Sequence, residues 1–145
     1  MSNPERRPAV PGLYSIDAGG TPSLPARRCA DCGYVFFPPH AFGCEACGAL
    51  PERTEPTELA AVGVLRSFAT VHRHAGTGIE APFVVGEIAL DAGPMVRAVI
   101  AGEQPFRIGD RVRAFLWTAP APSASGDREE RVELRFEPEP RTGAD

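Results

Sequence analysis

The sequence predicts a mainly β protein: a small four-cysteine ribbon followed by a five-stranded barrel of the oligonucleotide/oligosaccharide-binding (OB) type. All four cysteines fall between residues 29 and 50, as the pairs Cys29/Cys32 and Cys44/Cys47. From about residue 58, short apolar segments alternate with Gly, Pro and Asp, the mark of strands and turns. No stretch has the apolar period of an amphipathic helix. Five antiparallel strands with a long, bent first one suit a small closed barrel, and they are too few for a seven-stranded sandwich.

Taken in order, residues 1–24 form a Pro- and Gly-rich arm. Its one apolar segment, Leu13 to Ile16, precedes the turn signal Asp17-Ala18-Gly19-Gly20, so a hairpin returning through Ser23 to Arg28 is expected. Without that pairing the first dozen residues should be disordered. The ribbon occupies 25–52 and the barrel 57–137. Leu59 to Val71 is the first barrel strand. Val62, Val64 and Phe68 share one parity while Leu65 and Val71 take the other. Together with Gly63, that shift suggests a bulge or a strongly coiled strand serving two sheet surfaces. Strands at 82–90 and 94–101 follow, joined by Asp91-Ala92-Gly93 as a hairpin turn. After the turn Ile108-Gly109-Asp110 comes a strand at 111–118. Residues 119–130, APAPSASGDREE, read as a flexible loop. Val132, Leu134 and Phe136 then alternate with charged residues, a half-buried strand. Residues 138–145 form a disordered tail.

The chain is 43% hydrophobic and 23% charged, a globular composition. No apolar run is long enough to span a bilayer, and no apolar stretch follows the N-terminal arginines, so a cytoplasmic protein is expected. All 15 basic residues are arginine, as codon bias would give; the net charge of -4 supplies no global field for nucleic acid.

Two thiolates separated by two residues can face one ion from a tight turn, and each pair is followed by glycine, Gly33 or Gly48. Glycine there permits positive φ and lets amide N–H groups point at sulfur. Two such knuckles complete a tetrahedron and leave no open coordination position, which suits structural zinc. Iron is the lesser alternative, since both knuckles resemble those of rubredoxin. Disulfides and a redox pair fit less well. Between the knuckles, Tyr34, Phe36 and Phe37 in the run YVFFPP can cover the metal module or form an exposed docking patch.

These residues together resemble the DUF35 family. The ribbon with its Phe-Phe-Pro-Pro segment leads into Glu58-Leu59, Gly63, Leu65, Ser67-Phe68-Ala69 and Val71-His72-Arg73. Pro82 to Val85, Leu90-Asp91 and Arg107 to Val112 complete the match, over about residues 24–118. The resemblance implies a rubredoxin-like zinc ribbon fused to an OB fold. It further implies a non-catalytic subunit of a thiolase-fold enzyme acting on acyl-CoA (a thiolase, acyltransferase or retro-aldolase), supporting assembly and acyl-CoA binding. Many members carry a helical arm before the ribbon, where this sequence has its Gly/Pro-rich stretch.

Chemistry of the chain's own is not expected. No nucleophile elbow is present, and the four thiols are committed to metal. His72 and His74 should share one face at the end of the first barrel strand, with Arg73 on the other. Either a polar barrel rim or contact with a partner or CoA phosphate would use them. Gly76-Thr77-Gly78 is too short for a phosphate loop and reads as a flexible link. Arg111, Arg113, Phe115 and Trp117 share one strand face. That pattern suits base stacking along single-stranded nucleic acid, the alternative function. It suits a protein interface equally, and the acidic charge favours the latter. The expected contact residues are therefore Tyr34, Phe36, Phe37, His72, Arg73, His74, Arg113 and Trp117.

Overall fold

Residues 5–16, 20–74, 79–121 and 129–140 are described by a computed structural model. The strands are β1 (Glu5–Pro8), β2 (Ser23–Cys29), β3 (Val35–Phe36), β4 (Thr54–Ala60), β5 (Val62–Val71), β6 (Phe83–Leu90), β7 (Met95–Ile100), β8 (Arg111–Ala121) and β9 (Glu129–Pro138). A 3-10 turn, Pro51–Arg53, precedes β4, and there is no α-helix among the described residues. None of them therefore forms a helix long and apolar enough to cross a membrane.

The period-two pattern at the end of the chain closes the barrel. Val132 and Phe136 are fully buried on β9, and β9 pairs antiparallel with β8 from Val112↔Pro138 to Ala121↔Glu129. On its other side β9 meets β7 through Ile100↔Phe136, where the Ala101 amide also donates to the Phe136 carbonyl at 2.8 Å. The circuit β9-β7-β6-β5-β8 thus returns to β9, a closed barrel of five strands. The β6–β7 hairpin turns at Asp91-Ala92-Gly93, where Gly93 has φ +124° and donates to the Leu90 carbonyl.

The long segment before β6 is broken where two sheets part. β4 belongs with β2 and β3 in a separate three-stranded sheet, while β5 belongs to the barrel. Buried Ala61 sits at the corner, its carbonyl accepting from the Ala114 amide at 2.9 Å. The bulge predicted by the parity shift lies between Leu65 and Ser67, not at Gly63. The turn before β8 pins it: Leu65 donates to the Asp110 carbonyl and accepts from the Gly109 amide. Gly63 has another reason to be glycine. It pairs with Leu90 on one side and Val112 on the other, and a Cβ there would strike the Ala89 carbonyl.

The arm differs from the expected hairpin. Ser23–Cys29 pairs with Thr54–Ala60 and with Val35–Phe36. Glu5–Pro8 instead lies parallel to β9, Glu5↔Glu129 to Pro8↔Val132, as a sixth strand outside the barrel circuit. Tyr14 locks the arm down by donating its hydroxyl to the Val132 carbonyl at 2.7 Å. At both ends the expected 119–130 loop is strand instead, since β8 runs to Ala121 and β9 starts at Glu129. The Asp17–Gly19 part of the turn signal, Gly76-Thr77-Gly78, the remaining loop residues 122–128 and tail residues 141–145 lie outside the described residues. One apolar core joins both sheets: Leu24, Ala26 and Leu59 pack with Leu65, Ile88, Val112 and Phe136.

Candidate metal centre and its aromatic surface

Both knuckles are built on the same local geometry. In the first, the Cys29 amide donates to the Tyr34 carbonyl and the Gly33 amide to the Cys29 carbonyl. In the second, Cys44 donates to the Ala49 carbonyl and Gly48 to the Cys44 carbonyl. Gly33 at φ +79° and Gly48 at φ +77° make this turn possible, because L side chains are strained there. Asp31 accepts from Arg53 at 2.9 Å, tying the first knuckle to the 3-10 turn.

The four Sγ atoms lie within 4.8 Å of one another. Cys29 and Cys47 approach to 3.7 Å, and Cys32 and Cys44 to 3.6 Å. Four sulfurs about 2.3 Å from a central ion would stand ~3.8 Å apart in a tetrahedron, so the donor set fits one tetrahedral ion. Cys44 accepts from the Cys47 and Ala46 amides at 3.5 and 3.4 Å. Those N–H groups draw its thiol down to about 7. The Ala49 amide pulls Cys47 the same way, but desolvation and the neighbouring sulfurs push it up to about 12. Crowded thiols of this kind resist collective ionisation until a cation compensates them.

From the metal module runs a row of rings. Tyr34 and Phe36 lie 6.3 Å apart, Phe36 and His40 4.5 Å, and His40 and Phe42 5.3 Å between centroids. His40 Nδ1 accepts from the Phe42 amide at 3.2 Å, which leaves its Nε2–H to donate to Glu45 at 2.8 Å. Phe36 is 2% exposed and anchors the row, so it offers no contact surface of its own, contrary to expectation. Phe42 is 89% exposed, Leu50 69% and Tyr34 42%. Sequence patterning missed Phe42 and Leu50. The available signal was that each large apolar residue sits in a loop flanking a knuckle, with no strand to bury it. Phe37 turns the opposite way from Phe36 and packs against the main core.

The remaining expected contacts belong to β8 or follow the end of β5. His72, Arg73 and His74 are exposed just beyond β5, outside strand alternation; His74 packs edge-on against Phe83 at 5.5 Å. Arg113 pairs in register with Val62 at the opposite end of β5, roughly 30 Å away along that strand. It faces Glu137 at 3.5 Å. Trp117 on the same face lies beneath Arg135.

Comparison with known proteins follows this division. Residues 56–116 match the family described as "ChsH2, C-terminal OB-fold domain". Among solved structures, the chain is similar to one from an "Ltp2-ChsH2(DUF35) aldolase", with TM-score 0.60 and 24% identity, covering 79% of this chain and 84% of that one. At that identity the similarity speaks to the fold. No curated protein matches the chain.

Proposed function

We propose that this chain, a DUF35-like protein whose residues 56–116 match a ChsH2-type OB-fold domain, is the non-catalytic subunit of a thiolase-fold enzyme acting on acyl-CoA. In this reading the partner supplies the nucleophile, the base and the oxyanion hole. The present chain braces the partner and helps bind its acyl-CoA substrate. The observation that carries the reading is the ridge of rings from Tyr34 to Phe42, exposed at both ends beside the four-cysteine cluster, with Leu50 exposed after the second knuckle. Apolar side chains this exposed, held by a stacked row of rings, are suited to desolvation by another protein. The association named for the similar aldolase structure supports a partner of that kind.

The metal in this proposal is zinc, whose preference for four thiolates matches the donor set, and its role is to hold the ridge rigid. One zinc per chain and no visible charge-transfer band are expected; an intensely coloured protein would identify iron instead. The partnership is tested by co-expression with thiolase-fold enzymes of the same host. A co-purifying complex whose acyl-CoA activity exceeds that of the enzyme alone supports it. Two monodisperse proteins that ignore each other at micromolar concentration refute it.

A further inference from the structure

β5 is a barrel strand over only part of its length. Residues 62–64 pair with β8, and Leu65 bonds both ways to the turn at Gly109 and Asp110. Past the bulge the strand keeps β6 on one side, from Ser67↔Glu87 to Val71↔Phe83. Among the described residues no strand pairs with its other side there. Arg66, Ser67, Phe68, Ala69 and Thr70 are all exposed, so both faces of this half stand clear as well as its edge. In an antiparallel ladder about every second residue turns its N–H and C=O away from the partner strand. The open side of residues 67–71 therefore presents a short row of backbone donors and acceptors.

Open edges are ordinarily blunted against pairing. That is so for β4, which carries Pro56, and for β1, which ends on Pro8. Residues 67–71, SFATV, hold no proline and no charge, and Phe, Thr and Val favour strands. Charge stands only at the two ends, with Arg66 before the segment and His72 and Arg73 after it. Neither arginine is ion-paired among the described residues. Glu87, opposite Ser67, is already held by Arg97 at 2.6 Å.

This basic bracket selects the occupant. A second copy pairing antiparallel about Ala69 would bring each Arg66 beside the other copy's His72 and Arg73, and like charges there oppose pairing. An extended segment with a carboxylate near each end satisfies both the edge and the bracket. We propose that residues 67–71 accept an extended acidic peptide as an added strand, its backbone bonded along the open edge and its carboxylates at Arg66 and Arg73. The two arginines stand at most about 25 Å apart along the chain, so a peptide of about eight residues reaches both. The proposal is independent of the thiolase-fold partnership, because this chain alone supplies the edge.

The test titrates the full chain with a blocked peptide of alternating valine and threonine that carries a glutamate at each end, about eight residues in all. A counterpart with lysine at both ends is the control. The glutamate peptide is expected to bind saturably and to slow hydrogen exchange at alternate amides of residues 67–71. The lysine peptide should bind about tenfold more weakly. Arg66→Glu combined with Arg73→Glu, at two exposed positions compatible with folding, should reverse the preference between the peptides. Sedimentation should find the free chain monomeric. Absence of saturable binding, protection centred elsewhere, equal binding of the two peptides, a preference unmoved by the double reversal, or a self-associated chain with these amides already protected would each overturn the proposal.

Discussion

The guanidinium of Arg135 lies 3.7 Å from the centroid of the Trp117 ring, and Glu133 holds it there at 3.0 Å. Cross-strand pairing places Phe115 opposite Arg135 and Trp117 opposite Glu133, so the contact is a diagonal across β8 and β9. One face of the lone tryptophan is therefore already covered by the chain itself. Stacking of nucleic-acid bases needs that face free. Oligonucleotides at low salt are expected to leave Trp117 fluorescence unquenched. Arg135 is only 12% exposed, and Arg135→Ala should lower stability by about 1–2 kcal/mol in urea denaturation. Quenching by oligonucleotides that weakens with salt would restore the nucleic-acid reading.

Gly86 faces the barrel interior, where a Cβ would come within 2.7 Å of Leu65 Cδ1 and 2.8 Å of Ile100 Cγ1. Both neighbours belong to the packed core. Gly86→Ala should therefore destabilise by about 1–3 kcal/mol through overpacking. Gly63→Ala should cost more, because it meets the Ala89 backbone rather than a side chain that can rotate. Urea midpoints of the two variants give the ordering.

Why some features were legible in the sequence follows from how local they are. The cysteine spacing and the two glycines encode the knuckle turns, whose closing hydrogen bonds, Cys29 to Tyr34 and Cys44 to Ala49, are local, whereas the ties from Ala30 and Asp31 to Arg53 are not. Period-two alternation placed β9, and Asp91-Ala92-Gly93 placed the β6–β7 hairpin. By contrast, β1 owes its existence to Val132 and its neighbours, more than a hundred residues away, and ERRP has no apolar period of its own. The break at Ala61 was hidden for a related reason. Leu59 and Leu65 are both buried in one continuous core, so the apolar pattern runs through the corner where the sheets separate. The metal ligands could be read individually, whereas the ridge beside them depends on how loops stack rings.

Asp91 receives both guanidinium nitrogens of Arg111 at 2.7 Å, linking the β6–β7 turn to the start of β8. The Arg111 hydrogen bonds hold its carboxyl below the usual aspartate value of 3.8. A depressed folded value means that the pair's stabilisation is fully present above the ordinary pKa and is lost as pH falls through the folded one. The urea midpoints of wild type and Asp91→Asn should thus differ by a small, constant amount above about pH 5, and the difference should shrink as the pH falls below the ordinary aspartate value. Both side chains are about half exposed, so high salt should shrink the difference.

Cys44 is buried and Cys32 is exposed, yet either one should be indispensable if four sulfurs share an ion. Cys32→Ser and Cys44→Ser are each expected to reduce bound metal from one per chain to near zero after dialysis against a chelator. Native mass spectrometry reads this directly. The loss should also loosen the row of rings from Tyr34 to Phe42, seen as weaker near-ultraviolet dichroism. Retention of metal by Cys32→Ser would mean that three thiols suffice and that the centre keeps an open position.

Phe36 and Phe42 occupy the same row of rings but at opposite extremes of burial, which separates folding from recognition. Phe36 has 2% of its surface exposed and stacks on His40 at 4.5 Å. Phe36→Ala should therefore destabilise the metal module by about 3–5 kcal/mol, as expected for a buried phenylalanine. Phe42 is 89% exposed, so Phe42→Ala should leave stability within about 0.5 kcal/mol of wild type. If the ridge is where the thiolase-fold partner docks, the same substitution should weaken the complex by at least about 2 kcal/mol, some thirtyfold. Paired measurements of thermal unfolding and partner affinity read both effects on the same preparations. A Phe42→Ala protein that binds its partner with wild-type affinity would move the interface away from the knuckles, toward His72 to His74 or the outer face of β8.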